Sequence, residues 1–338
     1  MHKKTDETPY LKEFENRGIN ILNENFGLSM HHYFGKSIFR RIVRRVVNLL
    51  PQKVSDFIMK LSCKKYHNQY HAVISMEEGI STYIASCIKS PKTVAWVRCM
   101  YNRYYELTKH KNESYIYDKI DTIVCVSKEC RNSFLSIYPQ YETKSICIPN
   151  TQNREKILEK SKIKPDVIFD KNYFNIVSVG RLDVVKQFHL IPEIVQKLLV
   201  SGFSVKWYII GDGNYKNIIV EKAKELSVSQ NIILLGAKSN PYPIMKQANL
   251  IAITSLSESF CNVISEGSIL NKRIISTPFQ AVYDTMADYK NGFICNLEDF
   301  PAKIKEISSI PVSDSCLITR NKDDIKIIEF IKELEKVL

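Results

Sequence analysis

Apolar residues in the C-terminal half fall in short, nearly unbroken runs at 174–179, 205–210, 231–235, 250–254 and 273–276. Runs of this length without alternation are strands buried on both faces. Between them, Phe188, Leu190, Ile191, Ile194, Val195, Leu198 and Leu199 have helical spacing over 187–200. Ile218, Ile219, Ala223 and Leu226 do the same over 215–227. Strand–helix alternation predicts a parallel sheet with helices on both faces. Ligands in such sheets bind at the carboxyl ends of the strands. The N-terminal half repeats the style, with strands expected at 72–75, 93–97, 122–126 and 145–148 and helices over 78–88 and 128–137. Residues 150–170 are polar and Lys-rich and read as the connection between two domains. Over 323–338, Ile327, Ile328, Ile331, Leu334 and Leu338 share one side of an amphipathic helix. The expected fold class is therefore α/β, with domains at 1–150 and 151–322 and a terminal helix, 323–338, packing back on the N-terminal domain.

Composition agrees. A chain of 338 residues has room for two domains. Its 44% hydrophobic and 25% charged residues are average for a globular protein and exclude a disordered or collagenous chain. No apolar run reaches the ~18 residues of a spanning helix. Met1–Glu7 lacks the apolar core of a secretory signal, so a cytoplasmic location is expected. The nine cysteines are scattered without a C-x-x-C pair, and several, such as Cys125 and Cys147, sit inside apolar runs. They read as reduced core thiols rather than a disulfide or zinc framework.

The net charge of +12 is uneven: residues 1–150 hold 23 Lys and Arg against 14 Asp and Glu. Such an excess describes partners rather than fold, and suits an anionic surface. Within that half, residues 37–50 place apolar pairs at 38/39, 42/43, 46/47 and 49/50, with Arg40, Arg41, Arg44 and Arg45 on the other face. This amphipathic helix reads either as a surface element on anionic lipid or as a helix packed on its own sheet with a solvated arginine face. Lipid binding would place the protein peripherally on the inner face of the plasma membrane.

Three clusters fall just after predicted strands. Gly180-Arg181-Leu182 with Lys186 sets two cations at a strand end, able to clamp a diphosphate, Arg as a fork and Lys as a point charge. Gly211-Asp212-Gly213 forms a sharp turn that brings backbone amides near a ligand. Glu258 lies in the loop before a helix expected to begin near Asn262, whose free N–H groups suit an anion, and Glu266 lies inside that helix. Each alone is also an ordinary loop or helix surface; their shared placement on one sheet edge is what carries weight.

Taken in order, these residues resemble the donor domain of retaining glycosyltransferases of family 4, which have the two-domain GT-B fold. Leu235-Gly236, Asn240-Pro241-Tyr242, Thr277-Pro278 and Asn291-Gly292-Phe293 extend the likeness, and Ile74-Ser75, Glu78-Gly79, Val126-Ser127 and Ile148-Pro149-Asn150 match in the N-terminal half. The resemblance implies two Rossmann-like domains with parallel sheets facing a cleft. It implies that Arg181 and Lys186 hold the diphosphate of a nucleotide-sugar and that Glu258 contacts the transferred sugar. Backbone around Gly180, Gly211, Asp212, Gly213, Cys261, Asn262 and Val263 would line the donor site, and Glu266 would bind the ribose. No D-x-D occurs, so no metal or other cofactor is expected beyond the nucleotide-sugar co-substrate. Arg98 stands where related enzymes often carry His on the acceptor side, Ser259 where Gly is usual, and Gln187 where Gly follows the Lys. The opening βαβ unit of the family is expected to be absent, leaving the N-terminal domain incomplete.

The resulting expectation is a retaining, metal-independent hexosyltransferase. It would move a hexose or N-acetylhexosamine, from a UDP-sugar by family-level inference, to a polyprenyl-diphosphate-linked or polysaccharide acceptor in surface glycan synthesis. The alternative is a non-catalytic nucleotide-sugar-binding remnant or partner subunit. Nothing specific favours another GT-B enzyme such as an epimerase, and no nucleic-acid recognition module is visible.

Overall fold

Alternate residues of the second-half strands point to opposite sides of one sheet, and each side has its own core. In the computed structural model, which describes residues 52–286 and 289–312 and the short stretches 328–329, 331–332 and 335–336, the chain divides into two compact units. Of the described residues, one unit comprises 52–148 with 335–336, and the other those from 149 to 332.

The first unit holds α1 (Gln52–Cys63), β1 (Ala72–Ser75), α2 (Ile80–Cys87), β2 (Lys92–Val97), α3 (Tyr101–Leu107), α4 (Ser114–Tyr117), β3 (Thr122–Cys125), α5 (Lys128–Ile137) and β4 (Ser145–Cys147). Its strands pair in parallel in the order β1-β2-β3-β4. Helix α5 starts where Ser127 Oγ accepts the Cys130 N–H at 3.0 Å, an N-cap that satisfies one otherwise unpaired donor.

The second unit holds α6 (Arg154–Lys160), β5 (Phe174–Val179), α7 (Ile191–Val200), β6 (Val205–Ile210), α8 (Lys216–Glu225), β7 (Ile232–Gly236), α9 (Tyr242–Gln247), β8 (Leu250–Ile253), α10 (Asn262–Ile269), β9 (Arg273–Ser276), α11 (Gln280–Met286), β10 (Gly292–Ile294) and α12 (Phe300–Ser309). Its six strands are all parallel, ordered β10-β9-β8-β5-β6-β7. On one face Val177, Tyr208, Ile251 and Ile274 pack with Ile264 of α10 and Met245 of α9. On the other, Ile176, Trp207, Leu250 and Ile275 pack with Val195 of α7, Ile219 of α8 and Ile304 of α12. Each such side chain contributes roughly 1.5–3 kcal/mol by leaving water. The apolar runs were continuous because both faces are covered.

The stretch 150–170 is not a bare connection. It contains α6, capped by Asn153 Oδ1 accepting the Lys156 N–H at 2.8 Å. Ile157 and Phe169 enter the second unit's core, and Phe169 stacks on Tyr208 with ring centroids 3.9 Å apart. Two apolar anchors outweigh the lysines around them. The described cysteines are free thiols. No helix among the described residues is long and apolar enough to cross a membrane. The arginine-rich segment 37–50 lies outside the described residues, as does the opening of the N-terminal unit; of 323–338 only residues 328–329, 331–332 and 335–336 are described, and they are helical.

Candidate functional site

Strand β5 lies between β6 and β8, so the order reverses there. This is the switch point at which loops from neighbouring strands leave in opposite directions and open a crevice. The β5 loop carries Gly180 to Lys186, the β6 loop carries Gly211 to Gly213, and the β8 loop carries Ser255 to Cys261.

The first two loops touch backbone to backbone. Gly180 N donates to Ile210 O at 2.9 Å and Leu182 N to Asp212 O at 3.0 Å. A Cβ on Gly211 would lie 1.8 Å from Gly180 O, and one on Gly213 would lie 2.4 Å from Leu182 O. Only glycine permits this approach. Asp212 is exposed, and its Oδ1 accepts the Gly213 N–H at 2.9 Å.

The charged residues form one connected network. Asp183 Oδ1 accepts the N–H groups of Val185 at 3.0 Å and Lys186 at 3.1 Å, closing a tight turn. Its Oδ2 faces Arg181 Nη2 at 3.5 Å, while most of the Arg181 side chain is in solvent. Lys186 Nζ is paired with Glu258 Oε1, and both side chains are largely buried. Glu258 Oε1 also accepts the Ser255 hydroxyl at 2.7 Å. The next residue in the turn, Gln187, is held in a left-handed conformation with φ 52° and ψ 26°.

Helix α10 begins after Cys261, which is buried; burial, and then the charge of Glu258, push its thiol up to about 12. It is a packing group rather than a nucleophile. Asn262 Oδ1 accepts Asn150 Nδ2 at 3.2 Å and Gln152 Nε2 at 3.1 Å, which anchors the helix start. Val263 is half-buried. Glu266, one turn on, takes a hydrogen bond from the Tyr242 hydroxyl at 3.3 Å. Burial nevertheless raises its carboxyl to about 7.

Arg98, in the first unit, follows β2. Glu78 Oε1 accepts the backbone N–H groups of Arg98 and, at 2.8 Å, of Cys99. Arg98 also walls a cavity of about 550 Å³ beside β1, together with Ile74, Met76, Ile84 and Tyr66. Arg40, Arg41, Arg44 and Arg45 lie outside the described residues. Among the described residues no group of three His, Cys, Asp or Glu side chains is placed to share a metal ion.

The structure thus joins Lys186 directly to Glu258 and, through Asp183, to Arg181, whereas Glu266 is held separately by Tyr242. Sequence reasoning missed Asp183 and Ser255. The D-x-x turn spacing of Asp183 and the S-x-x-E spacing of Ser255 with Glu258 were the available signals.

Residues 159–322 match the family described as glycosyl transferases group 1. A Campylobacter jejuni protein, N-acetylgalactosamine-N,N'-diacetylbacillosaminyl-diphospho-undecaprenol 4-alpha-N-acetylgalactosaminyltransferase, is 28% identical over 185 residues, 55% of this chain and 49% of its own. This chain spans less than half the length of the curated relatives it matches. A glycosyltransferase from Rickettsia africae ESF-5 has a similar structure, with TM-score 0.66 and 18% identity, covering 97% of this chain and 87% of that one. Anabaena HepE, solved in complex with UDP, gives TM-score 0.62 at 13% identity over 82% of this chain and 81% of its own. Loops, sheet order and sequence agree: residues 159–322 are similar to the glycosyl transferases group 1 family, and the chain has the parallel α/β fold of the solved glycosyltransferases it resembles.

Proposed function

We propose that the protein is a retaining glycosyltransferase that moves a hexose or N-acetylhexosamine from a UDP-sugar to a lipid-linked or polysaccharide acceptor. The observation that carries the reading is the meeting of Lys186 and Glu258 at the β5/β8 switch point, with Arg181 tied to the same turn by Asp183. The C. jejuni relative's name specifies an undecaprenol-diphosphate-linked acceptor, and HepE was solved with UDP; both support the class of substrates.

In this reading the donor diphosphate takes over the Lys186 ammonium, and exposed Arg181 swings onto its second phosphate. The bond between sugar C1 and the phosphate oxygen breaks with its electron pair leaving on the diphosphate. The two cations stabilise that growing charge. Glu258 faces the sugar, which turns electron-poor as the bond opens. The acceptor oxygen attacks C1 from the same face, and its proton passes to the departing phosphate oxygen. The ionised carboxylate of Glu266 accepts the ribose hydroxyls. No resident metal enters the sequence; Arg181 and Lys186 supply the positive charge. The basic N-terminal half brings the chain to anionic membrane, where a lipid-linked acceptor resides.

The test is UDP release from a panel of UDP-sugars with lipid-linked and polysaccharide acceptors. Lys186→Ala is expected to lower kcat/KM by about 10²–10³, the scale of losing one transition-state charge partner, and Glu258→Ala to lower kcat. Turnover of either variant at the wild-type rate would remove the assignment. UDP binding without release from any donor would favour the non-catalytic reading.

A further inference from the structure

We propose that Thr254 and Ser255, consecutive buried residues at the exit of β8, are the positioning pair of the transfer site: Thr254 fixes the main chain beneath Lys186, and Ser255 fixes the Glu258 carboxylate. The inference rests on the function proposed above and assigns roles to two residues outside its cation and acid set.

Thr254 is 0% and Ser255 2% exposed, so each hydroxyl must find a partner within the protein. The Thr254 hydroxyl donates to Lys186 O at 2.6 Å. The Ser255 hydroxyl donates to Glu258 Oε1 at 2.7 Å. One dipeptide therefore reaches both loops of the crevice. The surrounding bonds make it rigid. Leu256 N donates to Val185 O at 2.8 Å, Thr277 Oγ1 donates to Ser255 O at 2.6 Å, and Thr277 N donates to Ile253 O at 3.0 Å. Lys186 is thereby pinned at its backbone oxygen by Thr254 and at its backbone nitrogen by Asp183.

The Ser255 bond matters most once a donor arrives. Before that, Glu258 Oε1 has two donors, Lys186 Nζ and Ser255 Oγ. A diphosphate that draws the ammonium away leaves Ser255 as the group still orienting the acid. Without Ser255, the carboxylate depends on Lys186 alone and competes with the diphosphate for it. Thr254 acts on the other partner, since a displaced Lys186 backbone misplaces the ammonium.

The experiment measures kcat, KM, UDP affinity and thermal unfolding for wild type, Ser255→Ala, Thr254→Val and Thr254→Ser. Loss of one hydrogen bond to a charged group corresponds to about ten- to hundredfold. Ser255→Ala is expected to lower kcat by that factor while UDP affinity stays within about twofold. Thr254→Val, which keeps the shape and loses the hydroxyl, is expected to weaken UDP binding about tenfold, and Thr254→Ser to restore it. Wild-type kcat and UDP affinity in both Ser255→Ala and Thr254→Val would overturn the inference. So would losses that track only the folded fraction and are not restored by Thr254→Ser. A wild type that turns over no donor overturns the function reading and this inference together; an active wild type with unaffected variants overturns only the latter.

Discussion

In the proposed function, Glu266 couples donor recognition to stability through pH. Its ordinary carboxyl value is 4.5, and burial raises it to about 7, with the Tyr242 hydroxyl opposing the rise. The folded protein therefore holds this proton more tightly than the unfolded chain does. Stability from this group is complete below pH 4.5, falls as pH rises from 4.5 to 7, and is flat above. At 1.36 kcal/mol for each pH unit between the two values, full ionisation costs about 3 kcal/mol. Glu266→Gln, a neutral isostere, should match wild type near pH 4 and exceed it by up to about 3 kcal/mol at pH 8. Urea titrations at pH 4, 5, 6, 7 and 8 measure this directly. Donor binding should move the opposite way: UDP-sugar affinity of wild type rises as pH passes 7, because the ionised carboxylate is the stronger acceptor for ribose hydroxyls. The Gln variant shows no such rise. Tyr242→Phe, which removes the bond favouring ionisation, should shift the wild-type rise to higher pH. Equal urea midpoints for wild type and Glu266→Gln across the whole range would refute the assignment of a buried, proton-holding carboxyl.

Three other outcomes follow, two from the structure and one from the sequence. Gly211→Ala puts a methyl 1.8 Å from Gly180 O, where backbone meets backbone; it should cost about 3 kcal/mol in urea unfolding and abolish UDP protection, and a variant as stable as wild type would mean the loops do not touch. Gln187→Gly relieves a left-handed residue at φ 52°, offset by glycine's greater unfolded freedom, so it should raise stability by up to about 1 kcal/mol; a loss of that size in the urea midpoint would contradict it. Replacing Arg40, Arg41, Arg44 and Arg45 together by Ala should weaken co-sedimentation with anionic phosphatidylserine vesicles by up to about a thousandfold, at roughly 1 kcal/mol per cation, and leave neutral vesicles unchanged; equal binding would detach the basic half from membranes.

The strands of the second unit were legible because burial on both faces writes itself as unbroken apolar sequence. Residues 174–179, 205–210 and 273–276 form strands over those same spans. Helix Lys128–Ile137 matches its expected limits because Ser127 supplies a local cap. Expected strands at 122–126 and 145–148 end one residue earlier, although Val126 N still donates to Val97 O and Ile148 N to Cys125 O. The ladder fades there rather than stopping. Helix Arg154–Lys160 was hidden because its support is remote: Phe169 and Ile157 pack into a sheet formed by later residues.

The same distinction governs the site. Gly180, Arg181, Lys186 and Glu258 could be placed at strand ends, and Glu266 in the helix that follows, from local pattern alone. That Lys186 meets Glu258, and that Thr254 and Ser255 reach both, depends on β5 lying beside β8, strands that are far apart in sequence. What holds them is a buried polar relay. Trp207 Nε1 donates to Ser178 Oγ at 3.0 Å, and Ser178 Oγ donates to Ala252 O at 2.7 Å, linking β6, β5 and β8 just below the crevice. Trp207 and Ser178 are fully buried, so breaking the relay strands an N–H without water, at about 1–3 kcal/mol. A one-residue slip between β5 and β8 would break it and also turn Val177 and Ile251 out of their core. The register of the sheet, rather than the loops themselves, therefore fixes the distance between cation and acid. Loops without regular structure can hold a charged pair in place because each is tied, within two residues of its strand, to a lattice that cannot slide.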